Sequence, residues 1–174
     1  MEIINLKVGY IQTNCYILKK ANEYLIIDPG DEAAKIKNHI KGEVKGILIT
    51  HNHFDHVGAL DELKKYYQCE IYHYLNLKEG KNNISDFNFE VIYNPGHTKD
   101  SISFLFDKDL FCGDFIFEDS IGRTDAGGNN QDMKESINRI IKYPLNIHIY
   151  PGHGNQTILK KEIDTLLYFK DHYL

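Results

Sequence analysis

Apolar residues along the chain form short runs and helically spaced sets, which predict strands and helices in alternation. The short runs predict strands at residues 3–7, 15–20, 24–28, 44–50, 70–73, 86–93, 101–106, 109–112 and 146–150. The helically spaced sets predict helices at about residues 32–41, 56–67, 131–142 and 157–170. Because the two element types are mixed throughout, we expect an α/β (α+β) fold in which helices cover the sheet faces.

Composition and charge narrow the class of protein. With 174 residues, of which 42% are hydrophobic and 26% charged, the chain is expected to form a single domain over residues 1–174. It has no apolar run of about 18 residues and no signal-peptide pattern, so we expect no membrane partner. A net charge of −5 argues against nucleic-acid binding. Three widely spaced cysteines fit a reduced, cytoplasmic protein, either a monomer or a homodimer.

A dense group of metal-ligand residue types follows the predicted strand at 44–50. It reads Thr50-His51-Asn52-His53-Phe54-Asp55-His56. In an extended segment His51 and His53 point to the same side, so both rings can reach one metal ion. Asp55 and His56 are adjacent and diverge, which suits a second ion nearby. Imidazole and carboxylate are ligands for zinc or iron, whereas calcium and magnesium prefer mostly oxygen.

Three further candidate ligands follow later predicted strands, beside glycine and proline residues that make tight turns at a sheet rim. The expected assignment is His51, His53 and His97 for one metal ion, Asp55, His56 and His153 for the other, and Asp114 as a bridge between them. We expect two divalent ions, with zinc favoured and iron or manganese as alternatives. Each ion would keep an open position, which is typical of a catalytic rather than a structural site.

Taken together, these motifs resemble the metallo-β-lactamase superfamily. The matching segments occur in the family's order and are Thr13–Leu18, Ile27–Gly30, residues 50–56, Pro95–Thr98, Gly113-Asp114 and Pro151–Gly154. The resemblance implies a four-layer αββα sandwich with the metal site at one edge of two packed sheets. It also implies that Asp28 supports the ligand loop from outside the ligand set. A simple Asp-Pro-Gly turn is the alternative interpretation of Asp28.

The segment after Asp114 contains the run Gly122-Arg123-Thr124-Asp125. This run resembles compact glyoxalase II-like (hydroxyacylglutathione hydrolase-like) enzymes, and also persulfide dioxygenases. The resemblance implies that Arg123 binds substrate by holding a carboxylate of the glutathione moiety. The alternative is that Arg123 forms an ion pair with Asp125 or Asp119. We expect the chain to lack the C-terminal glutathione-binding helical domain of long glyoxalase II enzymes.

The favoured hypothesis is a dinuclear zinc thioester hydrolase that acts on S-lactoylglutathione or a related acyl-thiol through a metal-bound hydroxide. Asp55 and Asp114 are the expected catalytic residues: Asp55 orients the hydroxide, and Asp114 bridges the ions. The two carboxylates and the hydroxide do not fully offset two divalent ions. The remaining positive charge favours a bound oxyanion and a departing thiolate.

Three other functions stay open on the sequence. The first is a persulfide dioxygenase with one Fe(II) held by His51, His97 and Asp114. The second is a metallohydrolase of another ester or a lactone. The third is a metal-stabilised domain without enzymatic activity. The presence of all seven candidate ligands favours the two-metal hydrolase.

Overall fold

The computed structural model describes residues 1–174 and contains two large β-sheets. The first sheet has five strands in sequential order: β1 (Glu2–Val8), β2 (Thr13–Lys20), β3 (Glu23–Ile27), β4 (Glu43–Leu48) and β5 (Ile71–Tyr72). The chain then forms β6 (Gly80–Ile84), β7 (Phe87–Tyr93), β8 (Ile102–Phe106), β9 (Asp109–Gly113), the small hairpin β10 (Ile116–Phe117) and β11 (Ser120–Ile121), and finally β12 (His148–Pro151) and β13 (Thr157–Ile158). The second sheet has the order β13-β12-β9-β8-β7-β6.

Five helices connect and cover these sheets. They are α1 (Ala33–Asn38), α2 (Phe54–Val57), α3 (Leu60–Tyr67), α4 (Asn130–Ile140) and α5 (Leu159–His172). None of them combines the length and the apolar character that crossing a membrane requires.

Three separate apolar clusters establish the layer order. One cluster packs α1 and α3, through Ile36 and Leu63, against the first sheet. A second fills the space between the two sheets. A third packs α4 and α5, through Ile137 and Leu166, against the second sheet. The layers therefore run helix, sheet, sheet, helix, which confirms the predicted αββα sandwich.

The alternation of side chains along β2 shows why this strand is apolar on both faces. Cys15 and Ile17 belong to the cluster under α1 and α3, whereas Tyr16 and Leu18 belong to the cluster between the sheets. Successive side chains in a strand point to opposite faces. A strand covered on both faces therefore reads as a continuous apolar run rather than an alternating one.

Several local predictions differ from the structure. The two-residue strands β10, β11 and β13 were not predicted, and β13 occupies residues 157–158, where the last helix is predicted to begin. The single helix predicted at 56–67 is divided into α2 and α3 at Ala59, whose main-chain N–H donates to the Pro29 carbonyl oxygen at 2.9 Å instead of to a carbonyl of its own helix. The strand β6 was not predicted at all. It is a polar edge strand, Gly-Lys-Asn-Asn-Ile, paired with β7 on one side only, so apolar periodicity gives little signal for it.

The parallel direction of two strand pairs places the candidate site residues at one edge of the sandwich. β3 is parallel to β4 in the first sheet, and β9 is parallel to β12 in the second. Asp28, His51, Asp114 and His153 all lie shortly after the ends of these four strands. The carboxyl ends of parallel strands meet at the same sheet edge, so residues far apart in sequence come together there.

Glu162 is a buried carboxylate that ties α5 to the β10–β11 turn. Its side chain is 1% exposed. It accepts hydrogen bonds from the Asp119 main-chain N–H at 2.9 Å and from Thr157 Oγ1 at 2.5 Å. Both donors would lose their partner if this carboxylate were removed.

We therefore expect Glu162→Ala to lower the free energy of unfolding by about 2–4 kcal/mol, because two buried hydrogen bonds to a carboxylate are lost. Urea unfolding of the variant and the parent measures this difference. Glu135→Ala on α4 is the control: Glu135 is exposed and bonded only to Gln131 at 2.8 Å, so its removal should change stability by no more than about 0.5 kcal/mol. Equal effects of the two substitutions would contradict the structural role of Glu162.

Candidate metal centre

The structure brings all seven predicted ligand residues together at this sheet edge. Ligand atoms lie within 4.8 Å of one another in three overlapping groups, which are His51, His53 and His97; His51, His56 and Asp114; and Asp55, His56 and His153. The first and third groups have the same members as the two sets predicted from the sequence. We call them the His51 group and the Asp55 group below.

Asp114 lies between the two groups. Its Oδ1 atom is 3.4 Å from His56 Nε2, and its Oδ2 atom is 3.5 Å from His97 Nε2 and 3.7 Å from His153 Nε2. One carboxylate therefore faces imidazoles of both groups. Within the Asp55 group, Asp55 Oδ2 is 3.1 Å from His153 Nε2.

Main-chain carbonyl groups of one loop fix the rings of two histidines. His97 Nδ1 is 2.7 Å from the Arg123 carbonyl oxygen, and His53 Nε2 is 2.9 Å from the Ala126 carbonyl oxygen. A carbonyl oxygen only accepts, so both ring nitrogens must donate. The lone pairs of His97 Nε2 and His53 Nδ1 then face each other, 2.9 Å apart. Sequence analysis did not find Ala126, because every residue carries a carbonyl group and no residue type marks this contact.

Asp28 fixes two further histidines. It is 2% exposed, and it accepts hydrogen bonds from Thr50 N at 2.8 Å, Thr50 Oγ1 at 2.6 Å and His56 Nδ1 at 2.9 Å. Thr50 Oγ1 is in turn 3.1 Å from His51 Nδ1. Because the threonine hydroxyl donates to Asp28, it accepts from His51. The outer nitrogen of His56 is therefore held directly, and that of His51 through Thr50.

Unpartnered buried atoms show that the site suits a divalent metal ion. His51 Nε2, His56 Nε2 and Asp114 Oδ1 are buried and have no hydrogen-bond partner. Such atoms carry a free-energy cost unless something binds them. His51 Nε2 and Asp114 Oδ1 offer lone pairs, and His56 Nε2 offers one once an ion displaces its proton. Imidazole with carboxylate is a donor set that zinc and iron accept. The residues present therefore fit a bound metal ion.

Burial and neighbouring charges shift the pKa values of these side chains. Burial lowers the pKa of His51 well below its ordinary value, which keeps the ring neutral. Burial also disfavours a charged His56, but Asp28 and Asp114 outweigh it and raise the pKa of His56 to about 10. Burial alone would raise the pKa of Asp114, but the His56 ring, whose Nε2 atom is 3.4 Å from Oδ1, and the other nearby histidines outweigh it and hold that pKa below its ordinary value. Asp114 is therefore a carboxylate.

The side chain of Arg123 is exposed and pairs with Asp125. Arg123 Nε lies 2.6 Å from Asp125 Oδ1, and Nη2 lies 2.8 Å from Oδ2. Both side chains are about 70% exposed. The ion pair considered as an alternative is thus present, and the contact of Arg123 with the site is made by its main chain.

Sequence comparison identifies the family. A family model described as the metallo-beta-lactamase superfamily matches residues 8–85 and 74–153. The chain belongs to the metallo-beta-lactamase superfamily. Within this superfamily it is 34% identical to the probable metallo-hydrolase YqgX of Bacillus subtilis, over 94% of this chain and 95% of that protein. It is 30% identical to the hydroxyacylglutathione hydrolase GloC of Haemophilus influenzae, over 93% and 95%.

A longer relative matches over part of its length. The hydroxyacylglutathione hydrolase of Hahella chejuensis is 34% identical, over 74% of this chain but only 56% of that protein. The compact metallo-beta-lactamase superfamily members above therefore resemble this chain over a larger share of their length.

Solved structures of the superfamily share the fold. BLEG-1, described as a B3 metallo-beta-lactamase, superposes with a TM-score of 0.89 at 30% identity, covering 94% of this chain and 97% of that one. TTHA1623, crystallised in a di-iron-bound form, gives a TM-score of 0.83 at 27% identity, covering 93% and 98%. ETHE1 from Myxococcus xanthus gives a TM-score of 0.85 at 23% identity, covering 99% and 91%, which shows a shared fold.

We expect Asp28→Asn to weaken metal binding about 10–100-fold, in line with other outer partners of metal-ligating histidines. An asparagine amide group would face the His56 and Thr50 donors with a donor of its own, so at least one ring would lose its orientation. Zinc titration against a competing chelator measures the change. Asp109→Asn is the matched control, because Asp109 Oδ1 also lies 3.0 Å from a histidine Nδ1, that of His148, but outside the cluster. Similar zinc affinity in the two variants would contradict the role of Asp28.

Proposed function

We propose that this protein is a two-metal hydrolase that cleaves thioesters, with S-lactoylglutathione or a related acyl-thiol as substrate. One observation carries the proposal: the His51 group and the Asp55 group lie side by side with the Asp114 carboxylate facing both. A site for a single ion would not require a second complete group. The geometry of the cluster thus supports two ions more readily than one.

In this proposal each group holds one ion. The residues that would hold the ions are His51, His53 and His97 for the first, Asp55, His56 and His153 for the second, and Asp114 between them. Two divalent ions bound there would supply Lewis-acid activation of an acyl carbonyl and of the attacking water. Zinc is the favoured ion, with iron or manganese as alternatives.

The chain itself contributes orientation and charge. The partners of the outer ring nitrogens keep the inner lone pairs aimed at the cluster before any substrate arrives, so little reorganisation is needed during the reaction. Asp55 is held through Oδ2 by the Thr13 hydroxyl at 2.9 Å, and we assign it the further role of orienting the attacking water. A thiolate leaves without prior protonation, so a thioester needs no separate general acid.

The substrate assignment draws on the relatives and on Arg123. Compact and longer relatives are both named hydroxyacylglutathione hydrolase, which supports a glutathione thioester. Asp125 takes two of the five N–H donors of Arg123, from Nε and Nη2, so a glutathione carboxylate would bind Arg123 through the remaining donors or replace Asp125. The net charge of −5 supports a small molecule rather than nucleic acid as the ligand.

The test of the function is hydrolysis of S-lactoylglutathione by purified, zinc-loaded protein. We expect kcat/KM above roughly 10⁴ M⁻¹s⁻¹, within the ordinary range for enzymes, and loss of the activity when a chelator removes the zinc. Protein that binds two zinc ions and hydrolyses neither this compound nor other thioesters would overturn the proposal. Hydrolysis of other esters or lactones would then indicate the second hydrolase alternative.

We expect His53→Ala to bind one zinc ion fewer and to lose at least about 10²-fold in kcat/KM, because a ligand of the His51 group is removed. Metal analysis and the thioester assay give the two readouts. His148→Ala is the control, since His148 is a half-exposed histidine of β12 paired with Asp109. A His53→Ala protein with full zinc content and full rate would show that the assignment is wrong.

A persulfide dioxygenase is the second candidate. The observation in its favour is that His97 Nε2 lies 3.5 Å from Asp114 Oδ2 and that His51 and Asp114 share a group, as a site of two histidines and one carboxylate for Fe(II) would require. It leaves the Asp55 group without a role. Oxygen consumption by iron-loaded protein with glutathione persulfide separates the two functions, because thioester hydrolysis consumes no oxygen.

A further inference from the structure

The first residues of β2 hold the Asp55 group from outside. Thr13 Oγ1 donates a hydrogen bond to Asp55 Oδ2 at 2.9 Å. Asn14 Nδ2 donates to the carbonyl oxygens of Pro151 at 3.0 Å and Gly154 at 3.1 Å, on either side of His153. Thr13 is 1% exposed and Asn14 is fully buried. None of these contacts is needed to form the β2 ladder.

The carboxamide of Asn14 can adopt only one orientation. The carbonyl oxygens of Pro151 and Gly154 only accept, so the amino group of Asn14 must face the turn that carries His153, and Oδ1 is left to accept from Asn5 Nδ2 at 3.3 Å. Both hydrogens of the amino group are used at the turn. The main-chain N–H of Asn14 also donates to the Gly152 carbonyl oxygen at 2.7 Å. Asn14 alone therefore binds three carbonyl groups of the turn.

These bonds span the two sheets. β2 belongs to the first sheet, whereas the turn follows β12 of the second sheet. Asp55 lies on α2, next to the first sheet, so its 3.1 Å distance to His153 Nε2 depends on how the two sheets are placed. Neighbouring residues of a strand point to opposite faces. Thr13 can thus hold Asp55 while Asn14 holds the turn of His153.

We propose that Thr13 and Asn14 are positioning residues that set the metal affinity of the Asp55 group and leave that of the His51 group unchanged. The inference rests on the two-metal site proposed above, but it does not depend on the substrate. No hydrogen bond of either side chain reaches His51, His53 or His97. The effect is therefore confined to one of the two ions.

The main test is Thr13→Val, which keeps the shape of the side chain and removes the donor. Zinc titration against a competing chelator, with the bound metal counted by elemental analysis, should show one zinc ion weakened about 10–100-fold and the other unchanged. Thr13→Ser keeps the hydroxyl group and should restore the affinity. Asn14→Ala should weaken the same ion, provided that circular dichroism shows a folded protein.

Thr157→Val is the matched control. Thr157 is also a buried threonine whose hydroxyl donates to a carboxylate, that of Glu162 at 2.5 Å, but this pair lies outside the ligand cluster. Its substitution should lower stability without changing either zinc affinity. Combining Thr13→Val with His53→Ala or with His153→Ala identifies the affected ion. In the His53→Ala background the remaining ion is that of the Asp55 group, and Thr13→Val should weaken its binding. In the His153→Ala background the remaining ion is that of the His51 group, and Thr13→Val should leave its affinity unchanged.

The inference would be overturned if Thr13→Val lowered the affinity for both zinc ions equally or for neither. It would also be overturned if Thr157→Val lowered the affinity for one ion to the same extent as Thr13→Val. Failure of the proposed function gives a different result. If the parent binds two zinc ions and only the Asp55-group ion responds to Thr13→Val, the inference holds even when no thioester is hydrolysed. If thioesters are hydrolysed and Thr13→Val leaves both affinities unchanged, only this inference is wrong.

Discussion

The buried carboxylate of Asp28 connects the two halves of the ligand cluster, because it orients one histidine of each. It receives hydrogen bonds from the main chain and hydroxyl group of Thr50 and from the ring of His56, and it reaches His51 through the same hydroxyl. An imidazole has two nitrogens, so a donor bond at one of them leaves the lone pair of the other free to bind. One buried charge therefore sets a tautomer in each group.

The second requirement of the cluster is that the main chain at two glycines lies very close to the metal-ligating residues. A Cβ atom at residue 152 would lie 2.3 Å from Asp114 Oδ1 and 2.6 Å from His56 Cε1, and one at residue 30 would lie 1.7 Å from the Asp55 carbonyl oxygen. Only glycine leaves room at such positions. The Pro-Gly pairs found in the sequence thus let loops from both sheets converge without placing a side chain among the ligands.

The sequence predicted the elements and residues whose signal is local. Strands buried on both faces, such as β2, were clear because they contain a run of consecutive apolar residues, here Cys15 to Leu18. The ligands were clear because several imidazole and carboxylate residues fall at short, regular spacings after strands. Features that depend on distant contacts were missed. The strand β6 is polar and forms by pairing with β7, and the break between α2 and α3 accompanies the hydrogen bond from Ala59 to Pro29 in a distant loop.

The sequence by itself determined the mixture of strands and helices and the set of candidate ligands, because apolar periodicity and metal-ligand chemistry depend on residue type and spacing. The order of the layers followed from the family resemblance. Only the tertiary structure decided which groups hold those ligands in place. The carbonyl groups of Arg123 and Ala126 carry no residue-specific signal. The bonds from Asn14 to the turn of His153 span more than 130 residues. Such contacts exist only once the two sheets have packed, since packing brings donors and acceptors from distant strands within hydrogen-bond distance.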